Sequence, residues 1–178
     1  DEYLNGRFNH QYSVVYSIRG EMDKALEFIK NTLNVFSSRN SLYHEIISLN
    51  SYASILHEKG DFEAAKDIFN KTISLIEPKF MPSFLALLFG NLSFSLQKLK
   101  QFSPAKSNLD NALSIYKRMG LRYREVPIYS NLANLYFEIG ELGNSELNAK
   151  KAVSLANQFG NTKFEAHSLI TLGEIHIK

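Results

Sequence analysis

The sequence predicts an all-α protein, a solenoid of four antiparallel helix hairpins followed by one extra C-terminal helix. Two observations carry this. In the stretch Ser51 to Ile76, Tyr52, Ala53 and Leu56 extend an apolar face begun by Leu49, and Phe62, Ala65, Phe69, Ile73 and Ile76 form a second one. Spacings of three and four place each set on one face of a helix. Lys59-Gly60-Asp61 separates them, with Gly60 suited to end the first helix and Asp61 to cap the second.

The second observation is recurrence at an interval of 40 residues. Gly20, Gly60 and Gly140 keep it, with Lys100 in the remaining slot. Ala25, Ala65, Ala105 and Ser145 form a small-residue column. Ser13, Ala53, Ser93, Ala133 and Gly173 form another, and Thr32, Thr72, Ala112 and Ala152 a third. Tyr16, Leu56, Leu96 and Tyr136 precede the turns. The columns describe one array over 1–178, with units about 6–45, 46–85, 86–125 and 126–165 and the leading helix of a fifth unit over 166–178.

Each element has its own signals. Arg7 to Arg19 is expected as the first helix, with Phe8, Tyr12, Val15 and Tyr16 facing inward, and Met22 to Phe36 as its partner. The second hairpin begins near Leu42 and stops at Glu77-Pro78, because proline cannot continue a helix. Met81-Pro82-Ser83 opens the third, whose leading helix is the most apolar, and Ser103-Pro104-Ala105 starts its partner. Pro127 is expected in the first turn of the fourth leading helix, where a missing N–H is tolerated. The fourth hairpin runs to Phe159-Gly160. Leu169, Leu172, Gly173 and His176 then repeat the leading-helix pattern.

These residues resemble the tetratricopeptide repeat: Leu49, Tyr52, Ala53, Leu56, Gly60, Ala65 and Phe69 follow its pattern in one copy, and Tyr129, Leu132, Ala133, Tyr136 and Gly140 in another. A typical unit is about 34 residues. Longer units of 40 are similar to those of the kinesin light chain, the Pins/LGN-type scaffold, bacterial quorum-peptide receptors and the sensor arm of the maltose-type transcription activator. The resemblance implies a right-handed superhelix whose leading helices line a concave groove, binding a protein or peptide without a cofactor. The alternative it implies is a ligand- or protein-sensing regulatory arm of a larger signalling protein, such as an ATPase-type transcription regulator, a histidine kinase or a cyclase.

Composition agrees with a non-catalytic binding module. The chain has no cysteine, which excludes disulfides, thiolate metal sites and a cysteine nucleophile. Its five histidines form no HExxH motif, and there is no phosphate-cradling glycine loop or G-x-S-x-G turn. No metal and no enzymatic activity are expected. A formal net charge of +2 gives no reason to expect nucleic acid, and no apolar run is long enough for a membrane span. Cytoplasmic residence is expected. The N-terminus has no initiator Met or apolar signal segment, and Lys178 falls inside a helical pattern, so a piece of a longer protein is expected.

The candidate binding residues lie off the packing stripe of the leading helices. They are Asn50 and His57 in the second unit, Asn91, Phe94 and Gln97 in the third, and Ser130, Asn131, Asn134 and Phe137 in the fourth. Amides there donate and accept hydrogen bonds along a peptide, and asparagine in mid-helix has a propensity cost that asks for a reason. Asn131-Leu132-Ala133-Asn134 is similar to the asparagine-bearing helices of the Pins/LGN-type scaffold. A second candidate is the basic cluster Lys117, Arg118, Arg122 and Arg124, with the last two placed in a loop, as a contact for an acidic partner. The cationic clamp of chaperone-tail receptors is absent, since Leu87, Asn91, Pro127 and Asn131 occupy its places. Phe164, Leu169, Leu172, Ile175 and Ile177 make the last helix apolar, so self-association through 166–178 is expected.

Overall fold

The computed structural model describes residues 1–177. Among them are nine α-helices and no strand. The chain divides into two compact units. Asp1–Phe80 holds α1 (Glu2–Ile18), α2 (Met22–Ser38), α3 (Leu42–Lys59) and α4 (Phe62–Ser74). From Met81 onward come α5 (Pro82–Lys98), α6 (Phe102–Arg118), α7 (Arg122–Glu138), α8 (Leu142–Phe159) and α9 (Thr162–Ile177).

Leading helices start at 2, 42, 82, 122 and 162 and trailing helices at 22, 62, 102 and 142, so the interval of 40 holds at every start. The turn inside each hairpin sets it. Gly20, Gly60, Lys100 and Gly140 all have positive φ, +78°, +94°, +59° and +81°. The next N–H reaches back to the helix carbonyl five residues earlier: Glu21 to Tyr16 at 2.9 Å, Asp61 to Leu56 at 2.9 Å, Gln101 to Leu96 at 2.8 Å and Glu141 to Tyr136 at 2.9 Å. This left-handed closure satisfies orphan carbonyls at the helix end. Asp61 also caps α4, accepting from the Ala64 N–H at 3.3 Å.

The three small-residue columns are where the paired helices approach. Ser13, Ala53, Ser93 and Ala133 are fully buried, as are Ala25, Ala65, Ala105 and Ser145, and Thr32, Thr72, Ala112 and Ala152. Where serine replaces alanine its hydroxyl is satisfied, Ser145 Oγ donating to the Ala133 carbonyl at 2.8 Å. Gly173, which continues the first column, is exposed, because no trailing helix follows α9 among the described residues.

Four expectations are corrected. The first helix begins at Glu2, capped by the Asp1 carboxylate, and Phe8, Tyr12 and Val15 are 56%, 52% and 43% exposed. Its buried residues are Gly6 and Ser13. A Cβ at Gly6 would lie 2.9 Å from Val35 Cγ1, so the helices approach closely there, while Tyr16 stacks on Phe28 of α2 at 5.3 Å further along. The positions of Phe8 and Val15 correspond to Ser48 and Ile55, Ile128 and Leu135, and Ser168 and Ile175, all buried in α3, α7 and α9. Those helices pack there on a preceding hairpin, which α1 lacks among the described residues.

Pro127 is the sixth residue of α7, not part of its first turn, and Arg122 and Arg124 belong to that helix rather than to a loop. The reason is the fixed register, which starts α7 at 122 directly after the left-handed Gly120 (φ +68°). Along α9, Ile175 is buried and Leu172 half-buried, while Leu169, Ile170 and Ile177 are exposed.

Lys100 occupies a backbone region that costs an L-residue about 1–2 kcal/mol. Its ion pair with Glu138 at 3.0 Å is largely exposed and contributes little. Lys100→Gly is therefore expected to raise stability by about 0.5–1 kcal/mol after glycine's larger unfolded-chain entropy is deducted. A urea midpoint that moves down instead refutes this reading of the turn.

Candidate ligand-binding site

In the second unit, α5 and α7 lie side by side over the end of α6, and the start of α9 closes one edge. Gly90 permits the approach: a Cβ there would meet Ile128 Cδ1 at 3.2 Å. Between them is a cavity of about 250 Å³. Leu87, Phe94, Pro127, Ile128 and Phe164 give it apolar walls, and Asn91, Arg124 and Asn131 bring polar groups to it. Tyr116 borders it, its hydroxyl 3.5 Å from the Ser83 carbonyl, and burial pushes its phenol pKa up.

The two asparagines of α7 have opposite fates. Asn134 is engaged by α9: its amide nitrogen pairs with His167 Nε2 at 2.6 Å and its oxygen accepts from Thr171 Oγ1 at 2.8 Å. Ser130 Oγ likewise accepts from Ser168 Oγ at 3.1 Å. Asn131 is 3% exposed, and its Oδ1 is buried without a hydrogen-bond partner among the described residues. Leaving a buried polar atom unpaired costs about 1–3 kcal/mol, so this oxygen carries an unrecovered desolvation cost in the cavity wall.

Arg124 carries the charge of the site. Its guanidinium lies 5.3 Å from the centroid of the Tyr123 ring. A side-chain hydrogen bond with Tyr123 is the first cause holding its pKa above the ordinary value, and no carboxylate contributes.

The first unit holds a cavity of about 200 Å³ lined by Arg7, His10, Gln11, Phe36, His44, Ile47 and Ser48. Advancing each of these numbers by 80 gives Leu87, Gly90, Asn91, Tyr116, Arg124, Pro127 and Ile128, all of which line the cavity of the second unit. The two are one architectural feature with different chemistry. In the first, His10 Nε2 meets Ser51 Oγ at 2.9 Å, and His44 stacks on Phe36 at 4.7 Å while its Nε2 meets Tyr3 Oη at 3.0 Å. Burial, then the neighbouring His44, lowers the His10 pKa and favours its neutral ring.

Of the residues singled out in the sequence, the cavity brings together Asn91, Phe94, Asn131 and Arg124. Gln97 is buried, its Nε2 without a hydrogen-bond partner among the described residues. Asn50 and His57 are half-buried on α3, His57 packing edge-on to Phe62 at 5.1 Å, and Phe137 is half-buried on α7. The basic cluster separates: Lys117 lies 5.7 Å from the Tyr129 ring, with Lys151 at 4.6 Å from the same ring, and Arg118 and Arg122 are exposed. Sequence reasoning missed Gly90, Tyr116, Phe164 and the whole first cavity. The shift of 80 residues was the signal available for most of them.

Among the described residues no group of three or more histidine, aspartate or glutamate side chains is placed to hold a metal ion, and no helix is long and apolar enough to cross a membrane. Residues 47–78 and 126–159 match the sequence model of the tetratricopeptide repeat. The chain carries tetratricopeptide repeats. The matches fall on α3–α4 and α7–α8, and the other two hairpins share their helix register.

Solved structures of this repeat type are similar over nearly the whole chain. The apo form of RapI superposes with a TM-score of 0.88 at 16% identity, covering 98% of this chain and 64% of that one. A signal transduction ATPase with numerous domains (STAND) protein with a tetratricopeptide repeat sensor, from Pyrococcus horikoshii, gives 0.85 at 16%, covering 96% and 27%. The tetratricopeptide-like repeats of a kinesin light chain from Podosopora anserina give 0.79 at 13%, covering 99% and 87%. At these identities the likeness is one of fold, and the chain spans less than two thirds of the STAND protein and of RapI. No curated protein sequence matches it.

The unequal asparagines make a paired prediction. Asn134→Ala removes two hydrogen bonds that tie α9 to α7 and is expected to cost about 1–2 kcal/mol, with faster amide exchange along α9. Asn131→Ala removes an unsatisfied amide and adds helix propensity, so stability is expected to stay level or rise. Equal destabilisation by both overturns the distinction.

Proposed function

We propose that this chain is a non-catalytic protein- or peptide-binding module that recognises its partner through the leading helices, with the cavity of the second unit as an anchor point. The observation that carries the proposal is Asn131: a mid-helix amide whose buried Oδ1 has no hydrogen-bond partner among the described residues, in the wall of an open cavity also lined by Asn91, Phe94 and Arg124. A bound chain supplies the missing hydrogen bonds and buries the apolar walls. The repeats support the reading, since such arrays serve as interaction surfaces. Ser130 and Asn134 act one step back, holding α9 and hence Phe164 at the edge of the site.

A second reading makes the array a sensing arm whose occupancy is passed to another domain of a larger protein. What favours it is the likeness to the STAND protein's repeat sensor. Both readings use the same site.

Selection of a random peptide library on the immobilised chain tests the proposal. Enriched peptides are expected to lose roughly tenfold or more in affinity, about 1.4 kcal/mol, when Asn131→Ala or Phe94→Ala is introduced. Peptides that bind the variants as tightly as the parent, or a library that never enriches, refute the site.

A further inference from the structure

We propose that the cavity of the second unit is a pocket for one apolar side chain flanked by a carboxylate, so that the partner presents a leucine-like residue next to an acidic group. The inference rests on the peptide-binding reading and names the chemistry of that site. Its source is the contrast between the two register-equivalent cavities. The positions that are Arg7, His10 and Ser48 in the first unit are Leu87, Gly90 and Ile128 in the second, so three polar or cationic contributions become apolar or vanish. The cation moves rather than disappears: Arg7 is replaced by Leu87, and the position of His44 is taken by Arg124.

Size and charge then select the occupant. About 250 Å³ bounded by Leu87, Phe94, Ile128 and Phe164 admits a single branched or aromatic side chain, not a folded surface. Arginine presents a planar fork that matches a carboxylate. Arg124 is exposed, flanked by the Tyr123 ring, and has no carboxylate partner among the described residues. The Asn131 amide lines the same cavity and is suited to the peptide unit that joins an apolar residue to its acidic neighbour. The carboxylate has two sources, an aspartate or glutamate side chain or a C-terminal carboxylate, and the probes below separate them.

The test titrates the 178-residue chain with four small probes followed by NMR, reading the Asn131 side-chain amide and the backbone amides of 87–94 and 124–131. The probes are acetyl-Leu-Glu-amide, its neutral counterpart acetyl-Leu-Gln-amide, N-acetyl-leucine with a free carboxylate, and N-acetyl-leucine amide. At least one acidic probe is expected to bind roughly tenfold tighter than its neutral counterpart, the gain of a charge-assisted hydrogen bond. The acidic probe that shows the gain identifies the carboxylate source. Arg124→Gln, at an exposed position that leaves the fold intact, is expected to erase the difference while neutral probes bind as before. Equal binding of acidic and neutral probes, a preference that survives Arg124→Gln, or shifts that map away from both segments overturns the proposal. If selected peptides depend on Asn131 and yet acidic and neutral probes bind alike, this inference fails and the peptide-binding reading stands. If the probes behave as expected and selected peptides ignore Asn131, the pocket's preference for an apolar group beside a carboxylate stands and its use as the anchor for a longer peptide fails.

Discussion

A left-handed residue at the end of α1, α3, α5 and α7, followed five positions later by alanine or serine, governs this molecule. The positive φ at Gly20, Gly60, Lys100 and Gly140 reverses the chain at one angle, and the next N–H closes on the carbonyl of the residue four before the turn. With the reversal fixed, the trailing helix comes down against the leading one at Ala25, Ala65, Ala105 and Ser145. Bulk at those places would force the backbones apart, and packing density in protein interiors leaves little room for that. The same geometry is enforced on sequences as different as α3, rich in serine and isoleucine, and α5, dominated by leucine and phenylalanine.

Because the backbone register repeats so closely, the gaps between leading helices repeat too. The cavities of the two units share seven positions, yet only the framework is common. Phe36 and Tyr116 are both aromatic, from the trailing helix beneath. The lining varies freely, from Arg7 and His10 to Leu87 and Gly90. The residues that maintain helix approach are separate from those that line the cavities, so the lining changes without disturbing the columns.

Hydrogen bonding separates residues that look alike in the sequence. Asn131 and Asn134 are three residues apart on α7, and both sit where propensity disfavours asparagine. Asn134 offsets that cost by binding His167 and Thr171 of α9, whereas the Asn131 oxygen has no hydrogen-bond partner among the described residues. One is structural. The other leaves a buried acceptor unsatisfied in the cavity wall.

The sequence by itself determined the helix hairpins, their interval of 40 and the identity of the close-approach columns, because these are set by local spacing, turn chemistry and residue size. It also determined Asn91, Phe94 and Asn131 as off-stripe residues of the leading helices. Only the tertiary structure decided which face of α1 is buried, since Phe8 and Val15 point where later helices meet a preceding hairpin. It alone put Arg124 inside α7 rather than in a loop, and so on the face it shares with Asn131, and it drew Lys117 toward Tyr129, because residues twelve apart across a turn converge or separate according to helix packing. The cavity with its border residues Tyr116 and Phe164, from α6 and α9, is a product of three-dimensional closure. No local period in the chain links those two positions, and only the packed helices bring them to one wall.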